Sequence, residues 1–136
     1  MTRWLLVAIA LLLTTFLCGM GSLGGAPEGG VPQTDENIKV RLTDRQGVAT
    51  ELTQFSLEGK TALEGKYGSG LMTIFFRNIQ RAEFGQAEGE EIPVRLFLKT
   101  GDTLEIKVRK RHIFYGSTGY GALQIRARDI GKIELL

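Results

Sequence analysis

The fold is decided by the C-terminal stretch, residues 115–136, YGSTGYGALQIRARDIGKIELL. A glycine-punctuated turn leads into an alternating run, a polar turn follows at Asp129, and a second alternating run closes the chain. The same arrangement stands earlier, at residues 67–84, YGSGLMTIFFRNIQRAEF. At an offset of 51, Arg77 falls on Arg128, Asn78 on Asp129, Ile79 on Ile130, Arg81 on Lys132 and Glu83 on Glu134. Further upstream, Ile92-Pro93-Val94-Arg95-Leu96 echoes Ile38-Lys39-Val40-Arg41-Leu42 at an offset of 54, and Gly101 falls on Gly47. One three-residue difference near the middle reconciles the two offsets. The chain reads as a duplication: repeat one at 37–84, an acidic loop at 85–91 and repeat two at 92–136.

Every apolar pattern in 37–136 is short and has a period of two, the spacing of half-buried strands. Ile38, Val40 and Leu42 alternate with Lys39, Arg41 and Thr43, and Leu104, Ile106 and Val108 alternate with Glu105, Lys107 and Arg109. Asp44-Arg45-Gln46-Gly47 is a good turn, because Asp bonds its own backbone and Gly accepts positive φ. Asn78 and Asp129 are expected to accept from the backbone two residues on, with Ile79 and Ile130 plugging the core at the bend. The run 71–76 is the most apolar and is expected to be covered on both faces. Pro93 lacks an amide donor, which places its strand at a sheet edge. The expectation is an all-β domain, a small sandwich or barrel of about eight short strands in two pseudo-symmetric four-stranded halves.

The residues before this domain have another character. Arg3, then the apolar run Trp4 to Leu17, then Gly19, Gly21 and Ser22 follow the order of a secretory signal peptide, residues 1–21, with cleavage as late as 24. Two alternatives stand beside it. A membrane anchor needs about 20 apolar residues, reached only by counting through Leu23. Lipidation of Cys18 is the other, although Phe16 and Leu17 occupy positions that lipoprotein signals fill with small residues. Residues 22–36, SLGGAPEGGVPQTDE, bury too little to offset their ordering entropy and read as a flexible tether. Cys18 is the only cysteine, so a mature chain would hold no thiol and no disulfide.

Net charge is +2, which creates no global field. The distribution is uneven, for residues 92–136 carry nine Lys or Arg against four Asp or Glu. Within them, Lys107, Arg109 and Arg111 share the solvent face if the alternation continues, making these three the candidate anion-binding residues. Tyr115 and Tyr120 lie close by in sequence for stacking. The competing account of the same run is a solvated strand face whose cations protect an edge.

Residues Gly101-Asp102-Thr103-Leu104, Tyr115-Gly116-Ser117-Thr118, Gly121 and Asp129-Ile130-Gly131-Lys132-Ile133-Glu134-Leu135 resemble a pattern in small, exported, uncharacterised bacterial β-domains. The match covers roughly 92–135 and, more loosely, the first half. These are turn and core residues; the resemblance implies an envelope module without defined enzymatic activity and carries over no functional residue.

Catalytic sets are poorly supported. His112 is the only histidine and is expected to be solvated, so a zinc centre has too few soft or imidazole ligands. Gly116-Ser117-Thr118-Gly119 lacks the nucleophile-elbow spacing and leads into a strand. Gly59-Lys60-Thr61 resembles the tail of a phosphate loop, but Gln54 stands where its first glycine belongs. Glu83 and Glu134 are equivalent acids with nothing to place them at hydrolase spacing. No cofactor or metal is expected, and the chain does not read as an enzyme. The expected function is an exported, periplasmic or extracellular β module that binds or scaffolds at the bacterial cell envelope. An envelope protein or anionic envelope polymer is the implied partner, nucleic acid is not, and membrane contact needs an uncleaved N-terminal segment. Two alternatives remain: binding of anionic polymers or lipid head groups through 107–111, and an unrecognised hydrolase built on scattered carboxylates.

Overall fold

Alternation at a period of two produces strands wherever the sequence carries it. A computed structural model describes residues 30–136, and these form ten antiparallel strands and no α-helix. The expected signal segment at 1–21, its anchor and lipid alternatives, and residues 22–29 of the expected tether lie outside the described residues. The strands are β1 (Val40–Asp44), β2 (Ala49–Leu57), β3 (Ala62–Tyr67), β4 (Gly70–Phe75) and β5 (Ile79–Phe84). They are followed by β6 (Glu91–Leu98), β7 (Thr103–Arg109), β8 (Ile113–Ser117), β9 (Ala122–Arg126) and β10 (Ile130–Leu135).

All ten join one continuous sheet, curled into a half-barrel, in the order β4-β3-β7-β6-β5-β10-β1-β2-β8-β9. Of the expected small sandwich or barrel of about eight short strands, the all-β class holds, while the count becomes ten and the two four-stranded halves become one curled sheet. Short 3₁₀ turns at Phe76–Asn78 and Ala127–Asp129 interrupt each long apolar run, so β4 and β5 separate, as do β9 and β10. β5 and β10 then pair with each other at the centre, Glu83 opposite Lys132 and Arg81 opposite Glu134, which makes the sheet continuous. The bends also hold differently from the side-chain turns expected of Asn78 and Asp129. Their backbone carbonyls do the work, Asn78 accepting from Lys99 N–H at 2.9 Å and Asp129 from Arg45 N–H at 3.0 Å. Ile79 and Ile130 are buried beside them.

Exchanging β1–β5 for β6–β10 reproduces the strand order in reverse. The detail follows the same exchange. Phe76 N–H donates to Thr61 at 3.0 Å, and Ala127 N–H donates to His112 at 2.8 Å. Each half also lends a hairpin to the other, β3–β4 lying beside β7 and β8–β9 beside β2. Glycine permits this approach at both seams. A Cβ on Gly65 would sit 2.8 Å from Ile106 Cδ1 and from the Lys107 carbonyl, and one on Gly116 would sit 2.7 Å from Leu52 Cβ.

The inner face of the curl is a single core. Phe55 stacks on Phe114 at 5.6 Å and meets Phe76 at 5.2 Å, while Phe84 abuts Phe114 edge-on at 6.0 Å. Phe114 thus draws together β8, β2 and β5. Each such ring stabilises by about 1.5–3 kcal/mol through burial, with about 0.5–1.5 kcal/mol more for each aromatic pair. A bulge at Gln54, whose φ is +51, interrupts β2 where it pairs with β8. Leu52 and Phe55 enter the core as Ile106 and Val108 do, but with one more residue between them. Asn37 Oδ1 accepts from Gln54 N–H at 2.9 Å, and Thr34 donates to Gln54 Oε1 at 2.8 Å. Thr34 and Glu36, which pairs with Arg77 at 3.0 Å, tie the end of the expected tether to the domain.

Two strand assignments are corrected. Pro93 is in β6, an interior strand between β7 and β5, and not at an edge. Its carbonyl accepts from Gly85 N–H at 2.8 Å, just where the chain leaves β5, and the Gly85 carbonyl accepts from the Arg45 guanidinium, so the donor that proline lacks is supplied from elsewhere. Residues 71–76 do not have two covered faces, since β4 is an edge strand with Leu71 74% and Phe75 46% exposed.

Gly65→Ala and Gly116→Ala are each expected to destabilise by about 1–3 kcal/mol through overpacking. Gly119→Ala, with nothing within 4 Å of its Cβ, stays within about 0.5 kcal/mol. Urea denaturation of the three variants checks this ordering.

Candidate functional site

Ile106 and Val108 are fully buried, so the strand alternation forces Lys107 and Arg109 outward. β7 ends at Arg109, and a turn closed by His112 N–H donating to the Arg109 carbonyl at 3.1 Å carries Lys110 and Arg111. Arg111 therefore stands at the turn's tip instead of extending the row as a third strand residue. It still lines the same cavity as Arg109, a space of about 580 Å³ shared with Lys66, Glu58, Glu90 and His112. A smaller adjoining space of about 190 Å³ brings in Lys107, Glu64 and Leu71. The three cations expected from sequence thus surround one groove, and Lys66 joins them from β3.

Carboxylates occupy part of this groove. Glu90, at the end of the acidic loop, lies 3.5 Å from both Lys110 Nζ and Arg111 Nε, and its carbonyl accepts from Lys110 N–H at 3.0 Å. Glu91 lies 3.3 Å from Lys66 Nζ. Glu58 accepts from Ile113 N–H at 3.3 Å and lies 3.6 Å from His112 Nδ1. The His112 side chain is only 22% exposed, so the solvated histidine expected from sequence is in fact tucked under Glu58. Among the described residues, Lys107 and Arg109 have no carboxylate within ion-pair distance.

The seam beneath the groove sets it apart. β3 and β7 share one registered pair, Lys66 opposite Lys107. The corresponding pair at the other seam is Thr53 opposite Ser117, where Thr53 Oγ1 donates to the Ser117 carbonyl at 3.4 Å. One seam therefore faces hydroxyl to hydroxyl and the other lysine to lysine. Like charges directly opposite on neighbouring strands are destabilising; Glu91 beside Lys66 offsets part of that repulsion here, and the counterpart seam has none to offset. The groove can hold an anionic group between Lys66, Lys107 and Arg109. Sequence reading missed Lys66, Glu58, Glu90 and Glu91 as neighbours, because the pairing of β3 with β7 is long-range and leaves no local mark.

The equivalent acids Glu83 and Glu134 lie on the outer face of the central strands, each beside a cation. Lys132 Nζ is 3.1 Å from Glu134. Arg81 Nε is 3.1 Å from Glu83 without hydrogen-bond alignment, while its guanidinium stacks on Phe97 at 4.1 Å. No group of three or more His, Cys, Asp or Glu is arranged to hold a metal among the described residues.

Comparison with known proteins bears on the whole domain. A family model described as an uncharacterised protein matches residues 34–136. An uncharacterized protein of Aquifex aeolicus (strain VF5) is 24% identical over 123 residues, covering 90% of this chain and 89% of the relative. That alignment is longer than 34–136, so it includes residues ahead of the β domain.

The like-charge seam makes a direct prediction. Lys107→Thr, the residue type of the counterpart seam, should stabilise the fold by about 0.2–1 kcal/mol at low salt. The gain shrinks at high salt as the Lys66–Lys107 repulsion is screened. Urea denaturation at two ionic strengths measures both effects.

Proposed function

The chain belongs to this family of uncharacterised proteins, and we propose that it is an exported, non-enzymatic β module that binds or scaffolds at the bacterial cell envelope. Its docking site is the groove at the β3–β7 seam, and the chemistry it meets there is anionic. Lys66 facing Lys107 carries the reading, because a binding site accounts for a repulsive pair that packing alone disfavours. Arg109, with no carboxylate partner among the described residues, supplies a second free cation next to Lys107. The balanced carboxylates around the groove confine the positive potential to this seam, consistent with a net charge of only +2.

Export rests on the N-terminal sequence: Arg3, the apolar run to Leu17 and small residues at Gly19, Gly21 and Gly24 suit a cleaved signal peptide. An exported chain meets lipid head groups and anionic envelope polymers, which makes these the natural ligands. The two halves of the domain descend from one duplicated unit in this account. The palindromic strand order and the paired hydrogen bonds at Phe76 and Ala127 support that origin.

One preparation tests both parts. Expressed as the full chain in a bacterial host, the protein should be recovered outside the cytoplasm, with a mature N-terminus following Gly21 or Gly24 by mass spectrometry. That material should bind vesicles containing phosphatidylglycerol in a salt-dependent manner. Lys107→Glu with Arg109→Glu should weaken binding by more than about tenfold, since a cation near an anionic surface contributes about 1 kcal/mol. Unprocessed cytosolic protein counts against export, and binding indifferent to both salt and charge reversal counts against the groove.

A further inference from the structure

β4 closes one edge of the sheet and β9 the other, and the two occupy equivalent places in the strand order. They are finished differently. The hydrogen-bonding phase of β4 is set by its tight turn, with Tyr67 opposite Gly70, and by Phe76 N–H donating to Thr61 at 3.0 Å. Gly70, Met72 and Ile74 therefore direct their backbone groups to β3, and those of Leu71, Thr73 and Phe75 point out of the sheet. The equivalent outward residues of β9 are Ala122, Gln124 and Arg126. Natural edges are commonly blunted by charge, proline or a bulge. β9 carries a charge at this position. β4, GLMTIF, has neither charge nor proline, and its ladder with β3 runs without a bulge.

We propose that β4 is an interface whose occupant is the β4 of a second copy of this chain, antiparallel and centred on Thr73. The strand is self-complementary in that register. Leu71 and Phe75 are equidistant from Thr73, so each Leu71 lies opposite the partner's Phe75. These are the strand's exposed large apolar residues, at 74% and 46%. On the other face, Met72 lies opposite the partner's Ile74. The same register lets the outward N–H and C=O groups of residues 71, 73 and 75 pair reciprocally with those of the other copy, leaving none of them open. A register shifted by one residue would oppose outward backbone groups to inward ones and lose this match. Arg77 lies over one side of the Phe75 ring at 4.7 Å, at the end of the strand and clear of the two-fold centre. Leu71 also lines the smaller space beside Lys107, so the partner's Phe75 would lie at the rim of the groove.

Two measurements on the full chain test it. Thr73→Cys, in a Cys18→Ser background, brings two thiols to a hydrogen-bonded antiparallel pair with Cα atoms about 5.5 Å apart, inside the disulfide span of about 4.4–6.8 Å. Mild oxidation should therefore give a covalent dimer, whereas Gln124→Cys on the β9 edge should stay monomeric. Light scattering should give a two-chain mass for the unsubstituted protein, and Leu71→Lys, placed at a solvent-facing position, should halve it. A one-chain mass at every concentration overturns the proposal, as does cross-linking of Gln124→Cys equal to that of Thr73→Cys. A Thr73→Cys disulfide formed in cells to a different protein also overturns it.

Discussion

The sheet depends on two glycines that let each half lie against the other. Gly65 passes over Ile106 and Gly116 over Leu52, at separations that no Cβ could occupy. Because of these approaches, β3 reaches β7 and β8 reaches β2, and neither half completes a core alone. Phe55 of the first half stacks on Phe114 of the second, and Phe114 in turn meets Phe84 of the first. With β5 and β10 paired in the middle, local hairpins become one continuous curled sheet, with long-range contacts supplying its cohesion.

The same exchange creates the two seams, and the seams are where the halves part company. At one, Thr53 and Ser117 face each other; at the other, Lys66 and Lys107 do. The backbone arrangement is shared, so the difference is one of side-chain chemistry. Glu90 and Glu91 neutralise part of the lysine seam, but Lys107 and Arg109 remain available to an incoming anion. The edges differ in the same way, with Leu71, Thr73 and Phe75 on β4 where β9 presents Ala122, Gln124 and Arg126. In both cases the departure from equivalence, and not the shared pattern, marks the surface proposed to have a partner.

Much of this was legible in the sequence, for a physical reason. Period-two alternation and turn chemistry are local, so the strands around Val40, Leu96 and Ile106 could be read directly. So could the Asp44 turn, where Oδ1 accepts from Gln46 and Val48 N–H at 2.8 and 2.9 Å. Pairing is not local. Nothing near Lys66 announces Lys107 as its neighbour, and nothing in GLMTIF says that a strand so apolar ends at an edge. Pro93 sits inside the sheet because Arg45, distant in sequence, donates to the Gly85 carbonyl beside it, and nothing local announces that donor. Lys107, Arg109 and Arg111 do meet at one groove. Arg111 arrives through a turn and an ion pair with Glu90 instead of through strand alternation.

The proposed function requires that the lysine seam bind anions and the hydroxyl seam not. Amide hydrogen exchange, measured with and without vesicles containing phosphatidylglycerol, tests it most directly. Slowed exchange is expected in residues 62–67 and 103–112 alone, with 51–57 and 113–117 unchanged. Equal slowing at both seams, or at neither, would contradict it.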